Sequence, residues 1–333
     1  MKYLFLLASL FALAPAYYPQ TADELQASIR SAAEQERHSD ALAALRDLEQ
    51  KYPRSFTAND FDYLAARISE RSGELAAASA WFLANIKRGS ILTPYALFHL
   101  AAIARASGNL MLERTYLDEI TAFEPNVLVA EAARNRRARS WFESGNFAMA
   151  IRDFESLAAG TLLPASKAQD PTAREDQLFL ARALIAAGDT AAARDAFATL
   201  ITTTANAAQP DDIALAAVRG LDRLDIGPNA TAGTAPKLDD SEHVSRASIY
   251  QFNRDFTDAR LHYAAIIQDH PESTSVPDAV YQTGRSFAQE ANYSEAIRWF
   301  ERVLEQFPEH PVSRDALLQA ANAYARVSKH HEG

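Results

Sequence analysis

Two stretches of this 333-residue chain write one pattern twice at a fixed separation. The first runs Phe256-Thr-Asp-Ala-Arg-Leu-His-Tyr-Ala-Ala-Ile-Ile-Gln-Asp-His-Pro271, the second Tyr293-Ser-Glu-Ala-Ile-Arg-Trp-Phe-Glu-Arg-Val-Leu-Glu-Gln-Phe-Pro308. Phe256/Tyr293, Ala259/Ala296, Tyr263/Phe300 and Pro271/Pro308 each stand 37 residues apart. A helical hairpin of this length cannot bury its apolar face alone, so a fixed period means hairpins stacked on one another. Such a stack offers long surfaces more readily than enclosed clefts, which points to binding rather than catalysis. A third copy is expected to open at Arg314 and to stop at Gly333, before its second helix.

Small residues recur where the two helices of a hairpin must cross closely, and rings recur where they fill the gap to the next hairpin. Ala247 and Tyr250 precede Ala259, Tyr263 and Pro271; Gly284 and Phe287 precede Ala296, Phe300 and Pro308; Leu317, Ala321 and Tyr324 begin the following unit. Proline lacks an N–H and disfavours helix in the residue before it, so it ends each second helix.

The same grammar continues upstream with looser spacing. A helix over 22–36 leads to Ala41, Leu45 and Pro53; next come Ala65, Ile68, Ala77 and Trp81. A third hairpin spans 95–123 and carries Tyr116, a fourth holds Ala138, Trp141, Ala150 and Phe154, a fifth Ala181, Leu184, Ala193 and Phe197. Gly73, Gly108, Gly145 and Gly188 fall between paired helices, where a left-handed C-cap is expected. Insertions fall between hairpins, notably 160–172. The Gly/Pro/Ala/Thr-rich segment 226–239 reads as a linker, preceded by a short helix over 211–224. The organisation expected is therefore a leader over 1–16, an irregular helical array over 17–225, a linker over 226–239 and regular repeats over 240–333. The β-branched run 200–204 reads as the frayed end of a helix, and the chain as all-α.

Residues 1–16 have the form of a secretory signal. Lys2 supplies the positive start, Leu4 to Leu13 the apolar run and Ala14-Pro-Ala16 a small-x-small cleavage site, with cleavage expected after Ala16. The run is shorter than the roughly 20 residues that span a bilayer, so no membrane insertion is expected after cleavage. With no cysteine, the chain has no acceptor for a lipobox lipid, no disulfide and no thiolate metal site. A net charge of −10 argues against a nucleic-acid partner. The basic cluster Arg136-Arg137-Ala138-Arg139 reads as a solvated helix face.

No pattern for chemistry emerges. The eight histidines are scattered, and none forms a His-Glu-x-x-His pair. His99 reads as a core or groove residue. There is no phosphate loop, nucleophile elbow or dinucleotide fingerprint. Asp211-Asp212 and Asp239-Asp240 read as lying in loops or at helix starts, where carboxylates favour the dipole. Trp81, Trp141 and Trp299 fall at packing positions rather than on a sugar-stacking platform. We therefore expect no catalytic, cofactor or metal residues. The remaining candidate is the inner face made by the first helices of the hairpins, with Tyr281, Arg285, Gln251 and Asn322 exposed in a groove for a peptide or a glycan.

The unit 293–308, its 37-residue period and the leader resemble periplasmic tetratricopeptide proteins. The resemblance is specific over 240–327 and looser over 22–205. It implies a right-handed α-solenoid, a superhelix of tetratricopeptide-like hairpins, acting as a non-catalytic scaffold for protein partners in cell-envelope assembly or maintenance. An outer-membrane assembly lipoprotein shares the repeats but needs the lipobox cysteine, and the Tol–Pal accessory protein has an N-terminal coiled coil without a counterpart here. Tyr95-Ala-Leu-Phe-His-Leu-Ala-Ala-Ile-Ala-Arg-Ala-Ser-Gly-Asn-Leu110 and Tyr250-Gln-Phe-Asn-Arg-Asp-Phe256 are similar to the helical superdomain of soluble lytic murein transglycosylases. That resemblance implies a peptidoglycan-binding scaffold whose catalytic domain is absent from this chain. The Glu-Ser dipeptides with hydrophobic sequels that could match the family's pair are Glu143-Ser144 and Glu155-Ser156, both inside hairpins and without a lysozyme-like surround.

Overall fold

Gly188 has φ 89° and closes the first helix of its hairpin in the left-handed region, as do Gly73, Gly108 and Gly145 in theirs. The helices that these turns join were located in a computed structural model describing residues 20–123, 127–158, 170–202, 209–227 and 233–331. Residues 1–16, expected to be a leader, most of the insertion 160–172, the end of the run 200–204 and part of the segment 226–239 lie outside the described residues. Among the described residues the structure is all-helical, without strands, and consecutive helices pack as antiparallel hairpins. The chain divides into two compact units, Met1–Ala133 and Arg134–Gly333.

In the first unit, α1 (Ala22–Glu34) pairs with α2 (His38–Lys51), α4 (Phe61–Arg71) with α5 (Leu75–Lys87), and α6 (Thr93–Ala106) with α7 (Leu110–Thr121). Thr21 and Glu24 start α1 with a reciprocal capping box. Pro53 does not simply stop α2. It is the first residue of an extra short helix, α3 (Pro53–Ala58), where its missing N–H is harmless. The second hairpin also runs one residue out of the expected register: Ala78 and Phe82 are fully buried, whereas Ala77 and Trp81 are half-buried. His99 stacks on Phe82 with ring centroids 5.2 Å apart, in the packing role expected of it.

The second unit holds most of α8 (Ala130–Glu143), then α9 (Phe147–Ala158), α10 (Pro171–Ala187), α11 (Thr190–Thr202) and α12 (Asp212–Ile226). It continues through α13 (Asp240–Phe252), α14 (Phe256–Asp269), α15 (Val276–Gln289), α16 (Tyr293–Gln306) and α17 (Val312–His331). Asp211 and Asp239 are N-caps, accepting backbone N–H bonds at the starts of α12 and α13. One buried cluster joins Ala214 and Val218 of α12 to Ala247 and Tyr250 of α13 and onward to α17, so the two sides of 226–239 share a core. The three tryptophans pack against the clusters, as expected.

The close crossing inferred at Gly284 is present. A Cβ placed there would lie 2.7 Å from the Phe300 ring, which is itself fully buried. Burying a ring of this size stabilises by roughly 2–3 kcal/mol, and the absent side chain is what lets α15 and α16 close over it.

The basic cluster of α8 is not a solvated face. Arg137 makes a two-pronged bond to Asp153 of α9 at 2.7 Å for each contact, and Arg139 pairs with Glu175 of α10 at 2.9 Å while lying over the Phe179 ring. Carboxylates on the two following helices turn these arginines inward, a pairing invisible from α8 alone.

Candidate functional site

Position 282 of α15 and position 319 of α17 are both glutamine, 37 residues apart; Arg285 and Asn322 share the next such register, Gln289 and Arg326 the one after. Spacings of three and four place each set on one face of its helix. The structure brings the ends of both stripes together. Gln289, Tyr293, Gln319, Asn322 and Arg326 line an open groove of about 600 Å³, floored by Ala288 and Ala323. Among the described residues, the side chains of Gln319, Asn322 and Arg326 make no hydrogen bond. Amides offer both donor and acceptor, so this wall suits a ligand with an exposed peptide-like backbone, while the alanines leave room for it to approach.

The four residues expected on the inner face separate. Asn322 is exposed and lines the groove. Gln251 is only 5% exposed and does not face a ligand. It stands behind the groove, where its Nε2 donates to Gln289 Oε1 at 2.8 Å and so orients the Gln289 amide. Tyr281 is a correction: it is 8% exposed, its ring 5.8 Å from that of Phe300. Residue 281 shares a helix stripe with 277, 284 and 288, the side that packs inward, which turns its ring into the core. Arg285 is half-buried, donates to Gln282 Oε1 at 3.2 Å and lies over the Tyr281 ring. Gln289, Gln319 and Arg326 were not anticipated, although the period applied to polar positions would have found them.

A second cluster has no local sequence signal. Asp222 of α12 accepts from Arg246 at 2.7 Å, from the Tyr250 hydroxyl at 2.5 Å and from His262 Nε2 at 3.1 Å. Arg246 also reaches Asp225 at 2.7 Å. Burial opposes the charge on Asp222, but His262, Tyr250 and Arg246 outweigh it and hold its pKa below the ordinary value. Burial and the Asp222 charge push the Tyr250 phenol up. A cavity of about 240 Å³ borders the cluster, lined by Arg219, Arg223, Asp258 and 233–236. Every polar atom of Asp222 is engaged within the protein, so the arrangement ties α12, α13 and α14 together. Among the described residues no group of three or more His, Asp or Glu could hold a metal ion. No described helix is long and apolar enough to cross a membrane.

Residues 244–311 match the model of the family described as Tetratricopeptide repeat. No curated protein matches the chain. Among solved structures it is similar to a tetratricopeptide repeat protein from Parabacteroides merdae ATCC 43184, at 14% identity over 90% of this chain and 98% of that one, with a TM-score of 0.43. It is also similar to yeast Tom70, at 14% identity over 96% of this chain and 67% of that one, TM-score 0.32. A third is the complex of the TPR2AB domain of yeast Sti1 with pHSP90, at 12% identity over 91% and 98%, TM-score 0.30.

Proposed function

We propose that this chain, an all-helical protein carrying tetratricopeptide repeats, is a protein-interaction scaffold that holds an extended peptide segment in the groove between α15 and α17. The observation that carries the reading is the row of unengaged amide and guanidinium groups at Gln319, Asn322 and Arg326 facing Gln289 across small residues. The Tyr281/Arg285 end contributes by packing rather than by contact. The leader-like residues 1–16 support export, and with the repeat pattern they support a periplasmic role in cell-envelope assembly or maintenance.

Selection of peptides from a displayed random library on the purified chain tests the groove. Enriched peptides should bind at least tenfold more weakly to the Asn322→Ala/Arg326→Ala double variant, corresponding to about 1.4 kcal/mol or more. Failure of any peptide to enrich, or binding indifferent to the double variant, defeats the reading. Retention on purified murein sacculi that the same variant abolishes would instead assign the groove to a glycan strand, the function implied for the helical part of a murein-cleaving enzyme. Export is tested separately by the intact mass of the chain recovered from the periplasm, expected to begin at Tyr17.

A further inference from the structure

α12 has no hairpin partner of its own. It leans on α11, while α13 pairs with α14, and the described part of the connection to α13, 233–239, carries no helix. Beside α12 and α14 this leaves the cavity of about 240 Å³, bounded on one side by 233–236. It is smaller than the roughly 300–1,000 Å³ of sites for drug-sized ligands, so an occupant must be small. Its floor is rigid: Tyr250 and His262, each 2% exposed, are both bonded to Asp222.

Two walls carry unlike charges that the fold leaves unspent. Arg219 and Arg223 stand about one turn apart on one face of α12 and both line the cavity. Asp255 holds Arg219 at 2.6 Å, whereas the Arg223 side chain makes no hydrogen bond or ion pair among the described residues. Asp258 lines the cavity from α14, and among the described residues it forms no salt bridge. Burial first, then the charge of Asp255, push its pKa up, with Arg219 opposing them, so an added cation beside Asp258 would be favoured. The backbone groups of 233–236 make no hydrogen bond among the described residues, and Ile226, Leu261 and Pro236 add apolar surface. A simple anion here would face Asp258 and a simple cation Arg223, whereas a zwitterion satisfies both. Its remaining donors and acceptors can pair with the backbone of 233–236.

We propose that this cavity binds a free α-amino acid with a small apolar side chain, its carboxylate on Arg223, its ammonium on Asp258 and its side chain against Ile226 and Leu261. The site is formed by α12, α14 and 233–236, apart from the amide groove, so it stands whether or not the groove binds a peptide.

Alanine and valine are the probes, each titrated into the full chain by calorimetry. Saturable one-to-one binding of at least one is expected, weakened at least tenfold by Arg223→Gln or by Asp258→Asn and unchanged by Arg298→Gln, on the exposed face of α16. Arg223 is exposed and unpaired, so its variant should melt as the parent does; Asp258→Asn removes a charge that burial disfavours and should melt no lower. Isobutylamine and isovalerate, which are valine without its carboxylate and without its ammonium, should each bind at least tenfold more weakly than valine. No saturable binding of either amino acid, or binding indifferent to either cavity variant, overturns the proposal. Isovalerate binding as tightly as valine would also overturn it, leaving a plain anion site, and isobutylamine doing so would leave a plain cation site.

Discussion

Nδ1 of His243 lies 2.9 Å from Nδ1 of His262, so one of the two nitrogens carries a proton and the other must not. Both rings are buried, and His262 spends its other nitrogen on Asp222. A positive charge on His243 is therefore poorly accommodated. Burial first, then the neighbouring His262, His270 and Arg246, push His243 down to about 4, with the Asp222 charge opposing them.

An acid response follows, with two groups of opposite sign. Between about pH 6.5 and 4 the unfolded chain protonates His243 and the folded chain does not, so this group makes stability fall as pH falls. Asp176 behaves oppositely: burial, opposed by Arg139 and Asn135, raises it to about 6, so between about pH 6 and 3.8 the folded state binds the extra proton and gains stability. Each term is on the order of 2 kcal/mol, and the parent protein should show a shallow net response. Guanidinium unfolding at pH 7 and 4.5 should show Asp176→Asn losing more stability in acid than the parent, and His243→Gln gaining. A parallel response in all three proteins would refute the assignment.

Removing Asp222 should cost far more than removing an exposed partner. Arg246, 4% exposed, would be left with Asp225 and the more distant, exposed Glu242, and the Tyr250 hydroxyl and His262 Nε2 would lose their acceptor. Asp222→Ala is expected to destabilise by about 3–5 kcal/mol. Glu295→Gln breaks an exposed pair with Arg298 and should change stability by less than about 0.5 kcal/mol. Denaturant midpoints of the two variants provide the comparison.

Gly284→Val should destabilise despite its better helix propensity. The propensity gain is below about 1 kcal/mol, whereas forcing the buried Phe300 ring away from a branched side chain costs about 1–3 kcal/mol or more. A net loss near 2 kcal/mol is expected, and pairing it with Phe300→Leu should recover part of it. A neutral outcome in thermal melts would mean that the crossing is looser than described.

Ala291→Gly should stabilise. Ala291 stands where the upstream hairpins place glycine, with φ 61°, a conformation costing an L-residue roughly 1–2 kcal/mol. Glycine removes that cost but adds freedom to the unfolded chain, about 0.5–1 kcal/mol. A net gain of about 0.5–1 kcal/mol is expected; a lower melting temperature would contradict it.

Hairpin positions, turn glycines and the close approach at Gly284 were legible in the sequence, because each depends on residues within one or two helical turns or one repeat. The amide groove was half legible. Asn322 is exposed where the inner face was expected, but Gln289, Gln319 and Arg326 belong to polar registers that a search for aromatic and small residues passes over. Tyr281 and Gln251 were misplaced because a shift of one residue turns a side chain by about 100° around a helix.

By itself the sequence determined that this protein is a stack of helical hairpins with a 37-residue period in its last third, since periodicity needs only local chemistry. Only the tertiary structure decided which arginines are paired, which of the candidate side chains face outward, and that Asp222, Arg246, Tyr250 and His262 meet. Those partners stand 24, 28 and 40 residues from Asp222, the first two on α13 and the third on α14. No helical or repeat spacing connects them, and the free energy of bringing such groups together exists only once the hairpins have stacked.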